Sequence, residues 1–191
     1  MTSAPSQLPP WRPLLKAAQR KEGRSPMSRW LQLATVASDG SPRVRTLVFR
    51  GWREGSTLEL FTDARSTKVE DLAGEPRAEL CWLLPKARCQ FRLRGVALKL
   101  APETQQEREQ AHWMQLRPEG RALWGWPAPG QPLEATAHFP SAILDGTPTP
   151  DSFALLSLEI HQVELLELTG SPHRRRRWIA NNGWQVTDLN P

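Results

Sequence analysis

The sequence predicts an antiparallel β-barrel with a few short helices set between its strands. Strand-like stretches follow one another with turn signals between them, as in "LQLATVAS" (31–38), "DGSP" and "RVRTLVFRGW" (43–52). Helical stretches are few and do not alternate with the strands, which argues against a doubly wound parallel sheet. A third observation concerns size. The chain has 191 residues, 39% hydrophobic and 24% charged, and this suits one globular domain with its own core.

Taken in order, residues 11–21 place Trp11, Leu14, Leu15 and Ala18 at helical spacing, so a short amphipathic helix is expected there. The hairpin 31–52 follows, then a third strand in "STLELFTD" (56–63). A helix over about 66–73 is stopped by "GEP", and "RAELCWLL" (77–84) and "CQFRLRGVALKL" (89–100) form a pair about "PKAR". Pro102 suits a first helical position with Glu103 in the first turn, predicting a helix to about 116. "GWPAPGQPL" (125–133) and "DGTPTPDS" (145–152) read as loops, and "FALLSLEIHQVELLEL" (153–168) as one long strand broken near His161. The tail predicts a hairpin about "NNG", flanked by Trp178 and Trp184. This gives six or seven strands in a single domain over 1–191, with an N-terminal helix or arm at 1–25 and a C-terminal hairpin tail at 171–191.

Several function classes fall away. No window reaches the roughly 18–20 continuous apolar residues of a membrane span. The first residues lack the apolar core of a secretory signal, so a cytoplasmic protein is expected. Cys81 and Cys89, the only cysteines, are expected to be buried thiols, and with four scattered histidines they predict no metal site. The net charge of +5 comes from 25 basic and 20 acidic residues. Twenty of the basic residues are Arg, suited to fixed contacts with phosphate or carboxylate. No helix-turn-helix or zinc-finger spacing appears, and nucleic acid is not an expected partner.

The chemistry concentrates at "FTDARSTKVEDL" (61–72), where a strand runs into a helix through Thr62, Asp63, Arg65, Ser66, Thr67 and Lys68. A plain helix cap needs one such residue. Hydroxyls, helix N–H groups and a lysine together would form an anion site at a helix N-terminus, each charge-assisted hydrogen bond adding roughly 1.5–3 kcal/mol. Both readings stand on these residues alone. In "RVRTLVFR" alternation sets Arg43, Arg45, Leu47 and Phe49 on one face and Val44, Thr46, Val48 and Arg50 on the other. An arginine in such a strand either snorkels to the rim or meets an anion. Gln90 in "CQFRLRG" could read a heteroaromatic edge or simply sit on an edge strand. Trp113, Arg117, Arg121, Trp124, Trp126 and Gln131 gather around a helix end and a Pro-rich loop.

In their order, "PRVRTLVFRG", "FTDARSTKVEDL", "PRAELCW", "QFRLRG", "LRPEGRALWGW", "GQPL" and "SPHRRRRW" resemble the pyridoxamine 5′-phosphate oxidase-like family of FMN-binding split barrels, and its oxidase-related branch more than the vitamin B6 enzyme itself. The resemblance implies a mainly β, six-stranded antiparallel Greek-key split barrel with flanking helices. It also implies bound FMN, a homodimer with FMN at the subunit interface, and hydride transfer from a small, anionic or phosphorylated substrate. By position, Arg45, Ser66, Thr67 and Lys68 would hold the FMN phosphate, with Thr67 standing where the oxidases carry Arg. Thr46, Leu47 and Val48 would line the isoalloxazine, and Phe61 and Thr62 the ribityl-phosphate. Gln90 and Arg175 would face the flavin, and Gln131 would reach in from the partner subunit. Arg50, Trp113, Arg117, Arg121 and His173 would form the substrate side. There Trp113 replaces a Tyr, Arg121 a Ser, Ser171 an Arg and Leu165 a Trp of the oxidase pattern. No catalytic acid or base is identified. The alternative is a non-catalytic split barrel binding flavin, or haem through His138, His161 or His173.

Overall fold

The computed structural model describes residues 8–191. The N-terminal arm expected at 1–25 therefore lies partly outside the described residues, and the rest of it is helix α1 (Trp11–Glu22) followed by a 3-10 turn, Pro26–Ser28. Strands β1 (Trp30–Val36), β2 (Pro42–Trp52) and β3 (Thr57–Asp63) form a meander, and α2 (Thr67–Gly74) carries the chain across to β4 (Arg77–Leu84) and β5 (Cys89–Ala97). Helices α3 (Pro102–Gln115) and α4 (Pro118–Arg121) and a long irregular segment precede β6 (Phe153–Glu167). The chain ends in the hairpin β7 (Arg174–Ile179) and β8 (Val186–Leu189).

The sheet runs β3-β2-β1-β4-β5-β6-β7-β8, and β3 pairs again with β6. Strands β1 to β6 therefore close on themselves as the expected six-stranded antiparallel barrel, and closure leaves none of these six at a free edge. The length of β6 makes this possible. Its first half, from Phe153 to Glu159, pairs with β3, and its second half, from Gln162 to Glu167, pairs with β7. The irregularity expected near His161 is a bulge in β6: the adjacent Arg94 and Gly95 of β5 pair with Gln162 and Ile160, which leaves His161 as the extra residue while the strand runs on.

Alternation decides which side chains fill the barrel. Leu31, Leu33, Leu58, Leu60, Leu80, Trp82, Phe91 and Leu93 point inward and are fully buried. Each such burial contributes roughly 1.5–3 kcal/mol. α1 plugs one end: Trp11 packs against Trp52 and Trp184 at ring-centroid distances of 5.4 and 5.8 Å. β3 is buried on both faces because α3 covers its outside. There Glu59 faces Arg108 and His112, while Phe61 joins Trp124 and Phe153 in a second aromatic cluster. Both cysteines are free, Cys89 buried and Cys81 half-buried.

Candidate functional site

β2, β3 and α2 meet at a cleft of about 710 Å³, within the size range of small-molecule and cofactor sites. Its floor is Thr46, Leu47, Val48 and Arg50 of β2 with Phe61 and Thr62 of β3. Lys68, in the first turn of α2, stands at one side. The segment following Trp124 forms the roof, with Trp126, Gln131, Leu133 and Phe139 among its contributors. The roof is fastened at several points. Trp124 Nε1 donates to the Thr62 carbonyl at 2.9 Å, and Trp126 Nε1 donates to the Pro140 carbonyl at 3.0 Å. Arg65, clamped on both carboxylate oxygens of Asp63, donates to the Trp126 carbonyl at 2.9 Å.

The strand-to-helix junction is a cradle of donors. Lys68 Nζ donates to Thr62 Oγ1 at 2.9 Å and to Ser66 Oγ at 2.7 Å. Ser66 is the N-cap of α2, yet its hydroxyl donates to the Asp63 carbonyl at 2.6 Å and makes no bond back to the helix. The first N–H groups of α2 are thus left without a side-chain cap, at the end of the helix whose dipole favours an anion. Burial and the neighbouring Arg45 push the Lys68 pKa down, opposed by Asp63 and Asp71. Arg45 stands behind the cradle: it donates to Thr35 Oγ1 at 2.6 Å and pairs with the buried Asp71 at 3.1 Å. Across the cleft the Arg50 guanidinium lies 4.8 Å from the centre of the Phe61 ring, and its buried Nε has no hydrogen-bond partner among the described residues. Burial, with Arg29 nearby, lowers the Arg50 pKa.

A family model described as pyridoxamine 5′-phosphate oxidase, FMN-binding domain, matches residues 8–101. Pyridoxine/pyridoxamine 5′-phosphate oxidase 2 of Arabidopsis thaliana is 32% identical over 166 residues, covering 83% of each chain. The pyridoxine/pyridoxamine 5′-phosphate oxidase of Rhizobium meliloti is 30% identical over 93% of this chain and 88% of its own. A crystal structure of a pyridoxamine 5′-phosphate oxidase-related, FMN binding protein from Nostoc punctiforme superposes with a TM-score of 0.85 at 36% identity, covering 100% of both chains. The chain belongs to the pyridoxamine 5′-phosphate oxidase-like FMN-binding family. FMN is the cofactor of that family, and the cradle fits its phosphate: an ammonium, two hydroxyls and an uncapped helix N-terminus converge beside a cleft of suitable size.

The family pattern sorts the expected residues by place. Thr46, Leu47, Val48, Arg50, Phe61, Thr62, Lys68 and Gln131 all line the one cleft. Gln131 does so from the roof of its own chain, whereas the resemblance implied the partner subunit. Ser66 is buried beneath Lys68, Thr67 is exposed, and Arg45 is held behind by Asp71. Gln90 and Arg175 lie elsewhere, around a small hollow shared with Arg92 and Glu164, where Arg175 Nε donates to Glu164 at 3.0 Å.

The substrate side is more dispersed. Trp113 and Arg121 line a different cleft, about 890 Å³, between α3 and the 145–151 loop. Trp113 is buried with its Nε1 on the Thr147 carbonyl at 2.8 Å. Arg121 is 3% exposed and committed to Asp145 and to the carbonyls of Trp113, Met114 and Leu144. Arg117 and His173 are exposed and line neither cleft. Sequence reasoning gave Arg65 no settled place, and the structure gives it the role of roof tether. It missed Asp71 and Thr35, whose only sequence signal is their polarity in otherwise apolar stretches.

Proposed function

We propose that this chain is an FMN-dependent oxidoreductase that accepts a hydride from a small anionic substrate and works as a homodimer. The observation that carries this reading is one cleft walled on one side by the Lys68 cradle and on the other by Arg50, whose Nε has no partner among the described residues. Bound FMN supplies two-electron redox chemistry; the protein supplies binding, orientation and exclusion of water. Lys68, with Thr62 and Ser66, would hold the phosphate of FMN. Main-chain and side-chain groups of Thr46, Leu47 and Val48 support its ring. Trp126 and the Pro-rich roof limit access of water, and Arg50 orients the anionic end of the substrate. Gln90 and Arg175, which line a separate hollow in one chain, would join the site from a second copy.

The test is spectroscopic. The purified chain should show oxidised-flavin absorption, or acquire it on addition of FMN, to about one FMN per chain. Anaerobic addition of pyridoxamine 5′-phosphate or pyridoxine 5′-phosphate should then bleach the flavin. A colourless chain that takes up no FMN would overturn the reading. A flavin-binding protein without turnover is the second reading, favoured by the withdrawal of Trp113 and Arg121 from the cleft. It would show FMN that no such substrate reduces. A haem site draws no support from the geometry, since His138, His161 and His173 are exposed and none of them lines the cleft.

A further inference from the structure

Behind the cradle, Arg45 is bound into a closed ring of hydrogen bonds. Its Nη1 donates to Thr35 Oγ1 at 2.6 Å and to the Leu33 carbonyl at 3.4 Å, and its Nη2 donates to Asp71 Oδ2 at 3.1 Å. Thr35 Oγ1 donates in turn to the same Asp71 oxygen at 2.7 Å, which closes the ring. Thr35 and Asp71 are buried and Arg45 is partly buried. The three come from β1, β2 and α2, with Asp71 three residues after Lys68 on the helix.

Such a pair is nearly silent at a distance. Opposite unit charges at 3.1 Å cancel to a dipole, whose field falls off faster than that of either charge alone. Lys68 feels both members with opposite sign. Burial lowers its pKa most and Arg45 lowers it further, while Asp63 and Asp71 raise it. Asp63 in turn holds Arg65 through both carboxylate oxygens. Of the three cations at the junction, Arg45 and Arg65 are thus paired with carboxylates, and Lys68 alone is held by hydroxyls. A phosphate monoester carries about −1.5 to −2 charges near neutral pH, so one free cation leaves much of that charge uncompensated.

We propose that Asp71 is a positioning residue that, through Thr35, withholds Arg45 from the cofactor phosphate and so sets how far the site prefers a phosphorylated flavin to an unphosphorylated one. The ligands it tells apart are FMN and riboflavin, which share the ring and ribityl chain and differ in the phosphate. The choice of ligand rests on the flavin reading above; the withholding rests on the ring of hydrogen bonds.

The experiment measures Kd for FMN and for riboflavin by quenching of flavin fluorescence and reads their ratio. Both ligands need the same fold and ring site, so a purely structural role would move both constants and leave the ratio alone. Asp71→Asn keeps the shape of the side chain and removes its charge, and it should raise the preference for FMN about tenfold. Adding Arg45→Gln should abolish that gain, because Arg45 is the cation that Asp71 masks. The doubly altered chain leaves no buried charge unpaired, and it decides the matter alone if Asp71→Asn does not fold. A preference for FMN that is unchanged or lower in Asp71→Asn would overturn the proposal. So would a gain that survives Arg45→Gln, or a doubly altered chain whose preference is about tenfold below the original, since Arg45 would then serve the phosphate directly. If the original chain binds neither flavin, the flavin reading itself fails; if it binds them and the ratio ignores Asp71, the withholding alone fails.

Discussion

Lys68 is the residue on which the cradle turns, and its charge is the least secure in the site. Burial and Arg45 hold its pKa below the ordinary lysine value of 10.5. In the ligand-free protein the folded state therefore binds this proton less tightly than the unfolded chain does. Stability from this group consequently rises as pH climbs from the depressed value toward the ordinary one. FMN reverses the sign, because its phosphate favours the charged lysine. Affinity for FMN should thus fall as pH rises through the depressed value. Kd measured by fluorescence quenching from about pH 7 to about pH 10.5 checks this. The original chain should weaken within that range, and Lys68→Arg should hold its affinity further into alkali. Lys68→Met should be weaker by about tenfold or more at neutral pH, the loss of one charge-assisted hydrogen bond. An identical alkaline decline in Lys68→Arg would exclude Lys68 as the titrating group. The cradle was legible in sequence because Thr62, Ser66 and Lys68 are neighbours along one short junction. The withdrawal of Arg45 was not, because its partner Asp71 lies 26 residues away and only the barrel brings them together.

Among elements, the strands were legible to the extent that they alternate. β4 spans the expected 77–84, and β5 begins at the expected residue but ends at Ala97, with Leu98 N–H making one last in-register bond to the Ser157 carbonyl at 2.8 Å. The segment from 122 to 152 has no period of either kind. Its place as the roof follows from tryptophan N–H groups that find distant carbonyls, and this is tertiary information. The register shift between β5 and β6 leaves two marks in the sequence, the extra residue His161 and, opposite it, Gly95. A Cβ there would lie 2.4 Å from the Glu159 carbonyl oxygen and 3.0 Å from Ile160 Cδ1. The backbone oxygen cannot rotate away as a side chain could, so the strands must part. Gly95→Ala should cost about 1–3 kcal/mol or more in urea denaturation. Gly74→Ala, which meets nothing within 4 Å, should be neutral or stabilising at the end of α2. Equal midpoints for Gly95→Ala and the original chain would show that the two strands do not approach so closely.

At the scale of the molecule, one chain does not gather every residue that the resemblance assigns to a flavin site. Lys68 and Arg50 line the cleft, whereas Gln90 and Arg175 share a hollow apart from it. The barrel face that would meet a second copy carries exposed apolar groups on adjacent strands, with Trp30 at 45%, Val44 at 71% and Leu83 at 39% exposure. A two-fold pairing through this face would be self-complementary and would make two equivalent sites, each using the Lys68 of one copy and the Arg175 of the other. Mixing two damaged chains tests this directly. Lys68→Met and Arg175→Gln should each bind FMN poorly as pure dimers. After unfolding and refolding together in equal amounts, about half of the dimers should be mixed, and each mixed dimer should contain one site with neither substitution and one with both. FMN binding of original affinity should therefore return at about a quarter of all sites. If each site were built within one chain, mixing would restore none. Val44→Glu/Leu83→Glu provides the complementary measurement, because charges on that face should yield monomers in sedimentation with unchanged far-ultraviolet circular dichroism and lost FMN. Monomers that retain full FMN affinity would place the complete site within a single barrel and assign Arg175 to its ion pair with Glu164 alone.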